Sequence, residues 1–478
     1  VSTSSLLTKK INLDDCYQYV EDQVFCLRPQ SYCVEYSNWP GQVGIELEQF
    51  VLNKSAFLNN VPQLLPLHNG GNNLSSILQD LAKIRGWSCN FSDDDHATLM
   101  NVKLEDGDQL TFEPGGQLEF SSVPYPCLSD ALARLNSVSK VIEDFLSKND
   151  AHMLATGINP WQTSDEIGLQ MNKARYRAMN EYFSEIGPYG PRMMRQTATI
   201  QVNLDFGANE QMLAKRFLAA NLIAPLATGI FAASPQVNTT MSNFATTRAE
   251  AWRHIDPSRT GVPELKNVAE SLTKKSCVEA YLKQLLDAPV IFVEKLDYQR
   301  PKGMKFSDWL KQPYQGVSAT MQDFVTHMSL HFPEVRARGF LELRSVDAQA
   351  SAWQSVPAAF YTGLLYVDEI IDEVIELLAP KISKLSDTLN LASYGLERDE
   401  IAGDAQTLMA LALRGFQLLP DCFKGESTEK QFSAFAERFT NRGRSPADDM
   451  RYYAVKDGGK IVPDTFKRLD DDWLKLVE

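Results

Sequence analysis

The sequence has no C-x-x-C pair, and its seven cysteines (Cys16, Cys26, Cys33, Cys89, Cys127, Cys277 and Cys422) are dispersed and odd in number. Such a set excludes a disulfide framework and argues against a structural zinc site, since both need paired or closely spaced thiols. Histidine is scarce, with six residues. His327 and His331 stand at i, i+4, a spacing that can chelate zinc on a helix, but no His-Glu-x-x-His pattern accompanies them. Lysine and arginine form no long run, and the net charge is −14. Phosphate-backbone binding needs a clustered positive footprint, so no nucleic-acid partner is expected. The longest mostly apolar stretch, Ala219 to Ala233, contains Pro225 and falls short of the ~20 residues a membrane span needs. No membrane partner is expected. No apolar leader core opens the chain, and with dispersed thiols this leads to the expectation of a cytoplasmic protein. A Walker motif, a nucleophile elbow and a G-x-G-x-x-G loop are absent as well.

What is present is ample material for a core. Of 478 residues, 44% are apolar and 10% aromatic, which excludes a disordered chain. Length alone suggests about three domains. Without a repeat or long linker, one catalytic domain over 41–478 is favoured, its part from about 359 helical, after a peripheral extension over 1–40. In that extension Asn12 is a helix cap before Leu13. Gly41 to Val51 reads as the first strand, Trp87 to Val102 as a strand with an acidic turn at Asp93-Asp94-Asp95, and Ala288 to Glu294 as another strand. Leu128 to Lys148 repeats apolar residues at three- and four-residue steps, predicting an amphipathic helix with Ser129 as its N-cap. Glu210 to Ala233 is apolar nearly all round, predicting a buried helix.

The chemistry-bearing residues cluster at strand spacing. Glu113 and Glu119 flank a Pro-Gly-Gly kink in LTFEPGGQLEFSSVP (110–124), and can share a face if the register survives the kink. Glycines there let another backbone or a ligand come close. Glu46 with Glu48, and Glu342 with Arg344, also stand two apart. Taken singly, such pairs usually mark a wet strand face. Thr197, Thr199, Gln201, Asn203 and Asp205 alternate with apolar residues, so their strand is solvent-facing or lines a polar pocket; alternation alone favours the first. Arg248, Arg253 and Arg259 lie close together with Trp252. They could cap helices, or recognise carboxylate and phosphate with the guanidinium fork. These segments are expected to be neighbouring strands of one antiparallel sheet, with carboxylates converging on divalent metal. Read bottom-up, the chain is an α+β protein with carboxylates on strands and a cluster of arginines.

FEPGGQLEFSSVP (112–124), RMMRQTATIQVNLDF (192–206), FAASP (231–235), AWRHIDPSRTG (251–261) and HFPEVRARGFLELRSVD (331–347) together resemble the glutamate–cysteine ligases of plants, proteobacteria and actinobacteria. The resemblance runs in order from about residue 41 to 455. It implies a glutamine synthetase-like fold, a curved antiparallel sheet forming a funnel with helices packed outside. It also implies ATP-dependent joining of glutamate to cysteine through a γ-glutamyl phosphate, with magnesium, or manganese in its place, as cofactor. Glutamate, cysteine and ATP would be the small-molecule partners. By the same resemblance Glu46, Glu48, Glu113, Glu119 and Glu342 are metal ligands. Gln201 is a further candidate, where some relatives carry a histidine. Arg344 would face the transferring phosphoryl group. Arg248, near Trp252, would take the glutamate α-carboxylate, with Thr197 and Thr199 lining the same pocket; for Arg253 and Arg259 helix capping stays open. The Cys277 region lacks the partner cysteine of the plant redox switch, so that regulation is not carried over. A ligase for another amine, or a silent binding protein on the same scaffold, remain alternatives, as do glutathione and ergothioneine as the pathway served.

Overall fold

The computed structural model describes residues 9–36, 38–92 and 98–477. Its centre is β1 (Val43–Asn53), an eleven-residue strand whose Val43, Ile45 and Leu47 are buried. The remaining strands are β2 (Ser88–Phe91), β3 (Leu99–Lys103), β4 (Gln109–Phe112), β5 (Leu118–Ser121), β6 (Ala151–Leu154), β7 (Ile200–Leu204), the short hairpin β8 (Gln236–Val237) and β9 (Thr240–Met241), then β10 (Val335–Ala337) and β11 (Leu341–Leu343). Nine of them form one sheet in the order β10-β11-β7-β1-β5-β4-β3-β2, with β6 joining β1. Every pairing in it is antiparallel. The path ends at β10 and β2 and does not close on itself, so the sheet is open, as the α+β expectation requires.

Helices cover the sheet: α1 (Leu128–Lys148), α2 (Tyr189–Gln196), α3 (Glu210–Ile230), α4 (Thr247–Arg253), α5 (Val356–Leu365), α6 (Asp399–Leu418) and α7 (Pro463–Val477). The three- and four-residue steps of α1 put Leu128, Leu132, Leu135, Val138 and Ile142 on one buried stripe. Burying each such side chain stabilises the fold by about 1.5–3 kcal/mol. Its N-cap is Cys127, without a side-chain cap bond, rather than Ser129, which already lies inside the first turn. As its all-round apolar pattern predicts, α3 is buried from Phe217 to Ile230. Every residue of α5 is buried too, and the backbones of α5 and α6 meet at Gly363 and Gly415, where a Cβ on either would collide with the other helix.

Two more expectations change. Ala288 to Glu294 makes isolated bridges, Pro289 with Lys305 and Val293 with Gln299, instead of a strand. Its apolar run is buried as an extended segment between helices. The N-terminal extension, expected as peripheral, is packed in: Asn12 caps the helix Leu13–Tyr19, and Cys16, Val20, Val24 and Phe25 join the main core. The acidic turn Asp93-Asp94-Asp95 lies outside the described residues.

Candidate active site

The register of the sheet brings the acids together. Glu46 and Glu48 share one face of β1 because side chains alternate. Across the ladder to β5, Glu48 lies opposite Glu119. On the other side Glu46 lies opposite Gln201 of β7, and Asn203 of β7 lies opposite Glu342 of β11. Glu113 arrives from the kink between β4 and β5. There its N–H donates to the Gln117 carbonyl at 3.0 Å, and the Gly116 N–H donates to the Glu113 carbonyl at 2.8 Å. Gly116 adopts a φ of +84°, and a Cβ at Gly115 would strike the Arg195 backbone of α2. Gln117 fastens the kink to the same region by donating from Nε2 to the Thr197 carbonyl at 2.7 Å. The glycines thus let the turn press against α2, and one oxygen each from Glu48, Glu113 and Glu119 falls within 4.8 Å of the others.

Burial and mutual repulsion set the charge state. Burial, then the neighbouring Glu119 carboxylate, pushes Glu48 up to about 8. Burial, with Glu48 beside it, pushes Glu113 up to about 7; burial and Glu113 do the same to Glu119. For Glu46 the causes are burial, Glu342 and Glu119, and the value is again about 7. Arg344 and Arg248 only partly offset burial and repulsion at these oxygens, and hard oxygen donors at close range are what magnesium takes. The donor set therefore fits a divalent cation at Glu48, Glu113 and Glu119, with Glu46 beside them.

Glu342 is different. Burial works to raise it, but Arg336, Arg344 and Arg338 outweigh burial and hold it well below the ordinary carboxylate range. Arg336 donates to it from Nε at 2.5 Å and Nη2 at 2.9 Å, Arg338 from Nη1 at 2.7 Å, and Arg344 from Nη1 at 3.0 Å. It lies on the same sheet as the triad, with its oxygens committed to arginines. Arg344 links the two groups through Gln201: its Nη1 donates to Gln201 Oε1 at 2.7 Å, and Gln201 Nε2 donates to Glu48 Oε1 at 3.1 Å. Burial disfavours the Arg344 cation, yet Glu342, Glu48 and Glu46 together push it up.

Thr199 holds Glu48 through its backbone N–H, which donates to Oε2 at 2.9 Å, while its hydroxyl donates to the Val346 carbonyl. The Thr197 hydroxyl donates to the Met193 carbonyl at 2.6 Å. Both threonines are buried, as are Gln201 and Asp205, so this strand face lines a polar interior rather than solvent. Arg248, on α4, is buried, stacks over Trp252 at 4.9 Å, donates to the Arg344 carbonyl at 2.5 Å and pairs with Asp347 at 3.6 Å. Its Nε has no partner among the described residues. Arg253 pairs with Glu334. Arg259 is tied to Asp256 at 3.1 Å and to the Leu330 and Pro289 carbonyls, and joins segments rather than the acid cluster. His327 is also structural, bonded through Nε2 to the Leu285 carbonyl at 2.8 Å.

Sequence reasoning did not single out Arg336, Arg338 or Asp347, and it placed Asn203 only on a polar strand face. The hairpin of β10 and β11 was the available signal, because it sets Arg336 opposite Glu342. Asn203 donates to Glu46 at 2.9 Å, and Asp347 accepts from the Ala233 N–H, Ser234 and Thr246.

Residues 42–464 match the model of glutamate-cysteine ligase family 2. The chain belongs to this family. Among similar proteins, the chloroplastic glutamate–cysteine ligase of Medicago truncatula is 32% identical over 313 residues, 64% of this chain and 59% of that protein. Glutamate–cysteine ligase B of Oryza sativa subsp. japonica is 31% identical over 354 residues, 73% of this chain and 66% of its own. The match thus spans less than two thirds of either relative. In overall fold the chain is similar to the Francisella tularensis glutamate–cysteine ligase solved with AMP, at a TM-score of 0.51 and 12% identity, covering 91% of this chain and 89% of that one. In this member of family 2 the matched region begins just before β1 and includes the whole acid-bearing sheet. The segment before it still reaches the site region: Tyr19 and Gln23 line a cleft of about 390 Å³ with Arg175, Arg336 and Arg338.

Proposed function

We propose that the protein joins glutamate to cysteine at the expense of ATP, giving γ-glutamylcysteine, ADP and phosphate. The observation that carries this is the convergence of Glu48, Glu113 and Glu119 from β1, the kink and β5, within 4.8 Å, beside Arg344. Family membership and the names of the plant relatives support the same reading.

In the proposed reaction a γ-carboxylate oxygen of glutamate attacks the terminal phosphorus, and the bond to ADP breaks. The cysteine amine then attacks the acyl carbon, phosphate leaves with the acyl oxygen, and the amine loses a proton. Magnesium, held by Glu48, Glu113 and Glu119 with Glu46 nearby, would screen the polyphosphate from the carboxylate. Arg344 keeps a fixed cation where negative charge develops, and Glu342 with Gln201 hold its guanidinium in place. Arg248, with Trp252 under its guanidinium, would take the glutamate α-carboxylate. The arginine-lined cleft near Glu342 offers positive charge for phosphate oxygens. Thr197, Thr199, Arg253 and Arg259 serve by holding the frame, tied to the Met193 and Val346 carbonyls, Glu334 and Asp256. A cytoplasmic location belongs to the same proposal, supported by six described cysteines that are all free thiols.

The test is ADP release with ATP, glutamate and magnesium against a panel of amines. Cysteine-dependent turnover is expected; turnover only with another amine would reassign the acceptor, and none with any amine would remove the ligase reading.

A further inference from the structure

Behind the acidic site lies a second cavity, of about 140 Å³, bounded by β1, β6, α1, α7 and the segment 348–354. Gln49 follows Glu48 in β1 and points to the opposite face, so this cavity backs on to the triad. Besides Ser139, Glu143, Thr156, Gln349 and Ser351, its polar lining includes a set of four: Gln49, His152, Gln354 and Asp470. No hydrogen bond or ion pair engages the side chain of any of them among the described residues. Gln354 is only 7% exposed. The polar atoms of all four are open to the cavity rather than sealed in protein, so an occupant of that space can satisfy them. Here the four converge on one space, which points to a ligand that satisfies them.

The charge of that ligand follows from the walls. No lysine or arginine lines the cavity, while Asp470 and Glu143 both do. Burial, with Asp471 and Glu143 near, pushes the Asp470 carboxyl up to about 7, so it lacks a compensating cation. Phe466 and Trp473 supply aromatic faces, and the Trp473 N–H is already spent on Asp449 at 2.9 Å. Two carboxylates, Asp470 and Glu143, among amides, a neutral imidazole and aromatic rings suit an organic ammonium. A divalent metal ion would collect six or more oxygens. The volume is close to that of a cavity that holds benzene, about 150 Å³.

We propose that this cavity is a binding site for a small primary-ammonium compound, with its charge on Asp470, its stem against Phe466 and Trp473, and its other polar atoms on Gln49 and Gln354. The site is separate from the ligase chemistry and stands or falls independently of it.

Saturation-transfer NMR with propylammonium chloride, on the full chain, tests this. Saturable binding at millimolar concentration is expected, with no binding of propanol. Asp470→Asn and Gln354→Leu should each weaken binding by about tenfold or more, while Glu113→Gln, in the acidic triad, leaves it intact. Asp470→Asn should also melt higher than the wild type without ligand. Absence of saturable binding, binding indifferent to both cavity variants, or binding lost in Glu113→Gln would overturn the proposal. Should Asp470→Asn fail to fold, Gln354→Leu decides alone.

Discussion

Glu48 and Glu119 are direct cross-strand partners in the β1–β5 ladder, two carboxylates facing each other in a partly buried interior. Like charges placed so destabilise a sheet. Their pairing makes sense when a cation sits between them and Glu113.

Glu119→Gln should therefore stabilise the metal-free protein by about 1 kcal/mol. Thermal melts at pH 8 in a chelator should show a higher midpoint than the wild type. Added magnesium should raise the wild type more than the variant. A lower midpoint in chelator would mean that the opposed carboxylates are not in conflict.

Gly115→Ala probes the kink. The new methyl group meets the Arg195 backbone, which cannot yield as a side-chain tip can. A loss of about 1–3 kcal/mol is expected in denaturant melts, together with weaker magnesium stabilisation. Wild-type behaviour in both would show that the turn has room to spare.

Arg248→Lys keeps a charge near Asp347 but loses the fork. The glutamate KM should rise by about tenfold, equivalent to 1.4 kcal/mol, with the ATP KM little changed. Equal effects on both substrates would displace Arg248 from the glutamate site.

His327 gives a pH signature. Burial, then the nearby Arg259 cation, lowers it to about 3 from an ordinary value of 6.5. A histidine with a depressed folded value stabilises the protein above its unfolded value, and that stability is lost as pH falls below 6.5 toward 3. The loss approaches about 1.4 kcal/mol per pH unit. The raised site carboxylates act in the opposite direction, so the comparison must be between variants. His327→Gln, which can still donate to the Leu285 carbonyl, should flatten the fall of the melting midpoint between pH 7 and pH 5. An unchanged slope would show that His327 does not control it.

Much of this was readable in the chain because strands alternate. Two-residue spacing put Glu46 with Glu48, and the glycines of the kink marked where Glu113 could turn in. The resemblance of the longer motifs then joined segments that no local pattern connects. The same alternation misled for Thr199, Gln201 and Asn203: a polar strand face looks alike whether water or a buried site covers it, and only the pairing of β7 with β1 and β11 decides. Glu342 was visible as an acid on a strand, but its three arginines depend on how the β10–β11 hairpin folds back. Arg259 lay near Arg248 in sequence but takes different partners, Asp256, Leu330 and Pro289 rather than Asp347 and Arg344. Ala288 to Glu294 looked like a strand because an extended buried segment and a strand share one apolar pattern.

The central claim is that Glu113, brought in by the kink, helps to hold the cation that the ligation needs. The most direct measurement is the initial rate of ADP release with ATP, glutamate and cysteine, titrated with magnesium, in the wild type and in Glu113→Gln. The account predicts that the variant, folded as judged by circular dichroism, needs about 10–100 times more magnesium for half-maximal rate, or shows no turnover at all. Identical magnesium curves would contradict it.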